Sequence, residues 1–137
     1  MTAADGSAIR IERADYADAT HAAALVMLLD AYASDPAGGG APLSEYARAH
    51  LVHALAARPQ AYSVLAWDAT QPVGLVNCIE GFSTFACQPL VNVHDVAVLQ
   101  SHRGRGIAAL MLAAAERIAR ERGAVKMTLE VLSGNAG

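Results

Sequence analysis

Residues 101–108 read Ser-His-Arg-Gly-Arg-Gly-Ile-Ala, two arginines interleaved with two glycines, immediately ahead of an apolar run. Glycines let an anion come close to backbone amides. If the apolar run is a helix, its first amides are unpaired and aimed at that anion. Arg103 and Arg105 add local positive charge. Just upstream, LVNVHDVAVL (residues 90–99) carries His94 and Asp95, and PVGLVNCIEGF (72–82) carries Glu80. Imidazole and carboxylate groups take protons from nucleophiles at neutral pH.

Three phosphate-binding loops compete for the glycine-arginine stretch. A Walker loop ends in Gly-Lys-Ser/Thr, whereas here Gly106 is followed by Ile107 and Ala108, which leaves no lysine and no hydroxyl for magnesium. A dinucleotide loop needs a third glycine in the first strand-helix unit of the chain; Gly104 and Gly106 lie late and are followed by Ala109. An arginine-glycine nucleic-acid segment would be repetitive, and this is a single turn. A tight turn with solvated arginines also fits these residues taken alone.

The elements that must position the turn are read from periodicity. Ile9 and Ile11 alternate with polar residues as a short strand, and Asp15 or Asp18 then caps a helix running to about Ala33 with Ala22, Leu25, Val26 and Leu29 as its apolar stripe. SDPAGGGAPL (34–43) is a loop that no regular element crosses. Ser44 is the expected cap of a second helix that turns Ala47, Leu51, Ala54 and Leu55 inward and stops at Arg58, because Pro59 disfavours helix in the residue before it. His50 and His53 fall three apart on that helix without a third ligand nearby, which is read as solvent exposure or packing. Strands follow at 62–68, 72–82 and 90–99 with short links, an antiparallel meander. Ile107, Leu110, Met111, Ala114 and Ile118 then repeat at helical spacing up to Gly123, and 125–132 is a strand. Residues 90–132 thus form a strand-helix-strand unit, whose strands are parallel. The fold class is α/β: a mixed sheet, antiparallel and then parallel, with helices on both faces.

Composition narrows the function. A chain of 137 residues, 54% hydrophobic, fits a single domain spanning 1–137, with residues 1–8 expected to be flexible. Ten Lys and Arg against thirteen Asp and Glu leave no basic surplus for nucleic acid or an anionic membrane. The opening residues have no apolar core of the secretory kind, and the apolar run at 22–29 is too short to span a bilayer, so a cytoplasmic protein is expected. Cys78 and Cys87 form no metal or redox pattern and are expected to be reduced and buried.

The stretch VHDVAVLQSHRGRGIAALML resembles the acetyl-CoA binding core of the GNAT superfamily of N-acetyltransferases, whose signature is Gln/Arg-x-x-Gly-x-Gly/Ala after a strand. Arg103, Gly106 and Ala108 occupy its specified positions. The order of elements from residue 9 to 136 is similar as well, and HDVAV and EGFSTF look like segments of bacterial small-molecule acetyltransferases. The resemblance implies acetyl-CoA as co-substrate, no metal, and a pyrophosphate held by Arg103, Gly104, Arg105, Gly106, Ile107 and Ala108. It implies a bulged preceding strand whose Val96, Ala97 and Val98 backbone groups meet the pantetheine arm, one amide facing the oxyanion. Asn135 matches an asparagine that binds the coenzyme arm in the family; as a residue it equally suits a helix cap.

The implied reaction is acetyl transfer to a small primary amine. An alkylammonium with a pKa of about 10 must first lose its proton. His94 is the first candidate base, its position resembling that of a basic carboxylate in polyamine-type relatives, with alternation setting it on the face of Val96 and Val98 and Asp95 on the other. Glu80 is a candidate to orient His94 or bind the ammonium, and Asp95 a third catalytic candidate. In the family a tyrosine within Leu-Tyr-x-x-x-Gly-Phe protonates the leaving thiolate. No such segment occurs up to Gly137, so the chain is expected to continue, or to have its exposed sheet edge covered by a second copy. A non-catalytic acyl-CoA sensor and a protein or peptide acetyltransferase remain the alternatives.

Overall fold

The structure, a computed structural model, describes residues 8–129. Strand β1 (Ile9–Arg13) leads to helix α1 (Ala19–Ser34), a single 3-10 turn at Pro36–Gly38 and helix α2 (Glu45–Ala56). Strands β2 (Ala61–Asp68), β3 (Gln71–Ser83) and β4 (Gln88–Val98) follow, then a second 3-10 turn at Gln100–His102, helix α3 (Ile107–Glu121) and β5 (Met127–Leu129). The five strands lie in chain order, β1 to β4 antiparallel and β4 to β5 parallel. This is the mixed sheet that the sequence predicts.

Local chemistry sets the helix ends. Asp18 caps α1, accepting the Thr20 and His21 amides at 2.8 and 3.1 Å, and Ser44 caps α2 through the Ala47 amide at 3.0 Å. α3 ends at Gly123, whose φ of 81° lets the Ala124 amide return to the Ala119 carbonyl at 3.0 Å.

Helices cover both faces. α3 buries Ile107, Met111, Ala115 and Ala119, one residue per turn, against Val64, Val76, Val91 and Val93. On the other face α1 buries Ala24, Leu25 and Leu28 against Leu65, Trp67, Leu75 and Ala97. The α1 stripe is therefore rotated from the one expected: Ala22, Val26 and Leu29 are only half-buried. α2 buries no residue fully, and packs through Leu51, Val52 and Leu55 onto the α1 side. Cys78 is buried as expected, but Cys87 is exposed, because it forms the tip of the β3–β4 hairpin at a φ of 55°. Among the described residues no helix is long and apolar enough to cross a membrane.

One irregularity matters for function. Across the β3–β4 ladder Asn77 faces Asp95 and Cys78 faces Val93, so His94 is an extra residue, a bulge. In an uninterrupted strand Val91, Val93, Asp95 and Ala97 would share a face. Instead Val91 and Val93 join Val96 and Val98 on the α3 side, and Ala97 lies on the α1 side.

Candidate active site

The glycine-arginine turn joins β4 to α3. Gly104 and Gly106 have φ of 80° and 78°, in the left-handed region that side chains disfavour, and Gly106 is the cap residue of α3. No side chain caps that helix, so the first-turn amides of Ile107, Ala108 and Ala109 are left for a ligand. A Cβ at Gly104 or Gly106 would meet nothing within 4 Å, so open space fronts the turn. Ile107 is buried and pins the helix start to the sheet.

Two neighbouring side chains anchor the turn. His102, which sequence reasoning passed over, is buried and bonds Asp68 at the end of β2 through Nε2 at 2.9 Å, while its Nδ1 meets Ser101 Oγ at 2.7 Å. Arg103 donates from Nε to the Val98 carbonyl at 3.0 Å and from Nη2 to Asp35 at 3.2 Å. It therefore ties β4 to the end of α1, besides lending charge. Arg105 is half-buried in the turn.

The last residues of β4 offer backbone groups on their outer edge. The Leu99 amide bonds the Val73 carbonyl at 2.9 Å, and Ala97 faces Leu75 in the same ladder. By antiparallel alternation Ala97 and Leu99 turn their polar backbone groups to β3, and Val96 and Val98 turn theirs outward. Among the described residues β5 pairs β4 only at Val91, Val93 and the residue between them, so Val96 and Val98 have no strand neighbour on that edge. Beside them a cleft of about 420 Å³ runs between α1 and the end of β4, lined among others by Leu28, Tyr32, Asp35, Ala97, Val98 and Arg103. That volume is in the range of small-molecule sites.

The three candidate proton acceptors have different surroundings. His94, at the bulge, is exposed and has no hydrogen bond among the described residues. Asp95 is half-buried, shares the face of Ala97, and accepts from Asn77 Nδ2 at 3.1 Å. Glu80 lies opposite Val91, three residues along β4 from His94, and its Oε1 takes Arg122 Nη1 at 3.0 Å. The same guanidinium binds the Pro59 carbonyl and covers the Tyr62 ring, so Glu80 is held at the C-terminal end of α3 and not against His94. Asn135 lies outside the described residues.

A second group was missed because it spans four elements. Tyr16 Oη meets Ser63 Oγ at 2.8 Å, Ser63 Oγ bonds Asn77 Oδ1 at 2.6 Å, and Asn77 holds Asp95. Ser63 and Asn77 are buried polar residues in otherwise apolar strands, and that was the available signal. Burial raises the Tyr16 phenol above its ordinary value, which keeps its hydroxyl protonated. On α2, His50 stacks on Tyr46 and bonds its carbonyl at 2.8 Å, away from this site. Among the described residues no three His, Cys, Asp or Glu side chains gather as a metal site.

Solved structures with this architecture are numerous. A probable acetyltransferase is 25% identical with a TM-score of 0.76, covering 92% of this chain and 81% of its own. A ribosomal-protein-alanine N-acetyltransferase from Brucella melitensis biovar Abortus is 22% identical with a TM-score of 0.74, over 93% and 83% of the two chains. An aminoglycoside acetyltransferase from an uncultured soil metagenomic sample is 19% identical with a TM-score of 0.74, over 93% and 80%. The last two are similar in fold alone. No curated protein sequence matches. The model of the acetyltransferase (GNAT) family matches residues 25–137, which takes in the cleft, the bulge and the open glycine turn, and the chain belongs to that family.

Proposed function

We propose that the protein transfers the acetyl group of acetyl-CoA to a primary amine of a small molecule, by direct attack in a ternary complex. The observation that carries this reading is the uncapped start of α3 behind Gly104 and Gly106, beside the outward backbone of Val96 and Val98. The turn suits a pyrophosphate, and a strand edge eight to ten residues upstream suits the amide-bearing arm that leads from it to the thioester. Gly104, Gly106 and the amides of Ile107 and Ala108 would hold the phosphates, with Arg103 and Arg105 supplying charge. The arm would lie along Val96–Val98.

In the reaction the amine nitrogen attacks the thioester carbonyl, the carbonyl oxygen becomes an oxyanion, and the outward Val96 amide would donate to it. Collapse of that intermediate breaks the carbon–sulfur bond and leaves an amide and coenzyme A thiolate. An alkylammonium loses two protons on the way to the amide: His94, exposed at the bulge, would accept one directly or through water, and the departing thiolate would take up the other. Asp95, next to His94 in the chain and on the same sheet face as Ala97, would attract the protonated amine.

The test is thermal stabilisation by coenzyme A, followed by free-thiol release from acetyl-CoA across a panel of primary amines. Stabilisation is expected for the parent and lost in Arg103→Glu with Gly106→Asp; a parent that shows none overturns the donor site. Stabilisation without thiol release from any amine would mark an acyl-CoA-binding module instead. His94→Ala is expected to lower turnover about a hundredfold with coenzyme binding retained, and full activity would remove His94 from the mechanism.

A further inference from the structure

The hydrogen bonds from Tyr16 to Asp95 have only one self-consistent direction. A carboxylate accepts and does not donate, so the Asn77 group facing Asp95 Oδ2 is its NH2, and its carbonyl oxygen faces Ser63. Ser63 has one proton and gives it to that oxygen, so Tyr16 must donate to Ser63. Every donor in the row points toward Asp95, and such polarised rows reinforce each bond in turn.

The placement of this row is unusual for a structural feature. It crosses β2, β3 and β4 under α1, with Ser63 at 0% and Asn77 at 6% exposure, and it ends at the residue after the bulge. Apolar side chains there would cost less, since buried polar groups stabilise a core only when every partner is in place. The row terminates in a half-buried carboxylate whose second oxygen has no partner among the described residues. Ala97, two residues on and on the same face, lines the cleft.

We infer that Tyr16, Ser63 and Asn77 are positioning residues that hold the Asp95 carboxylate as the receptor for a positively charged acceptor amine. The acceptor class is then alkylammonium, recognised as the cation before it is deprotonated. One Asp95 oxygen is fixed by Asn77, and the other takes the ammonium. This rests on the acetyl-transfer reading above, whose donor half involves none of these three residues.

The experiment compares kcat/KM for two acceptors, cadaverine, which is cationic at neutral pH, and aniline, which is not. Coenzyme A stabilisation is followed in every variant. Asp95→Asn is expected to lower the cadaverine-to-aniline ratio by about tenfold to a hundredfold, the range of one hydrogen bond to a charged group. Asn77→Leu, which keeps the volume and removes the donor, should lower it by about tenfold. Tyr16→Phe, which removes only the distant hydroxyl and leaves the fold intact, should lower it by about twofold to threefold. The change should fall mainly on KM for cadaverine, with coenzyme binding unchanged. A general structural weakening would instead depress both acceptors together and leave the ratio where it was. An unchanged ratio in Asn77→Leu and Tyr16→Phe, in an enzyme that acetylates cadaverine, overturns this inference alone. A parent that binds coenzyme A and transfers to no amine of the panel overturns the acetyl-transfer reading and this one with it, while transfer only to amines uncharged at neutral pH overturns this inference alone.

Discussion

Replacing Gly106 with alanine separates the two things that this glycine does. Its φ of 78° costs an L-residue about 1–2 kcal/mol, while the added Cβ would meet no protein atom within 4 Å. The stability loss is therefore backbone strain alone, and for a domain of this size it lowers the melting temperature by about 3–6 °C. Gly123, at the other end of α3, is a matched control: its φ is 81°, and a Cβ there also meets nothing within 4 Å. Gly123→Ala should cost the same few degrees. The two variants should differ only toward ligand, because under the proposed donor site a methyl at Gly106 would stand where a phosphate oxygen reaches the α3 amides. Calorimetric titration with coenzyme A is expected to give parental affinity for Gly123→Ala and at least tenfold weaker binding for Gly106→Ala, so that coenzyme stabilisation falls by about 1.4 kcal/mol at saturating ligand. Equal affinity in both variants would refute the placement of the pyrophosphate at this turn, whatever their melting temperatures.

Three other outcomes follow from the same structure. Deleting His94 removes the bulge yet leaves Asp95 opposite Asn77 and Val93 opposite Cys78, so the deleted chain should fold with both cores intact and lose acetyl transfer more completely than His94→Ala; turnover equal to that variant would show that the bulge itself is dispensable. Native protein should react with a thiol reagent at one cysteine, the exposed Cys87, and denatured protein at both, because burial covers the Cys78 sulfur and pushes its thiol up to about 11; two fast-reacting thiols in the native state would contradict its burial. Hydrogen bonds from the His21 and Thr20 amides lower the Asp18 carboxyl below its ordinary 3.8, so its stabilising effect is complete above that pH and is lost as pH falls through the lower folded value. Asp18→Ala should thus unfold at less urea than the parent at pH 7, with the gap closing in strong acid; a gap that persists there would exclude the cap as its origin.

The fold was legible because its elements carry local signals. The largely apolar run in 62–68, the i, i+4 spacing in α3 and the Ser44 and Asp18 caps each depend on residues near in sequence. The rotation of the α1 stripe was not legible: the helix is so rich in alanine and leucine that several faces look apolar, and which one packs is decided by Leu65, Trp67 and Leu75 on strands distant in sequence. The glycine turn was legible for the same local reason as the caps, since positive φ, helix start and charge fall within six residues. Glu80 was a harder case. A lone carboxylate in an apolar strand reads alike whether it serves chemistry or an ion pair, and its partner Arg122 lies forty-two residues away. Tyr16, Ser63 and Asn77 are ordinary polar residues until three strand registers bring them into line.

The bulge at His94 links these observations. Were His94 in regular alternation, without the bulge, Asp95 would have to share the face of Val91 and Val93, placing a carboxylate in the apolar core under α3 at a cost of several kcal/mol. With it, Val93 and Val96 both face that core, and Asp95 reaches Asn77 on the opposite side. The same step leaves Val96 and Val98 with their backbone groups turned away from β3. The bulge therefore acts on both sides of the sheet, setting the Asp95 carboxylate on the α1 face and the backbone groups of Val96 and Val98 away from β3. Alternation alone could give one of these arrangements or the other, because it fixes the parity of all four positions at once. Deleting His94 leaves Asp95, Val96 and Val98 on these same faces in an unbulged ladder, so it isolates what the bulge itself adds to the site.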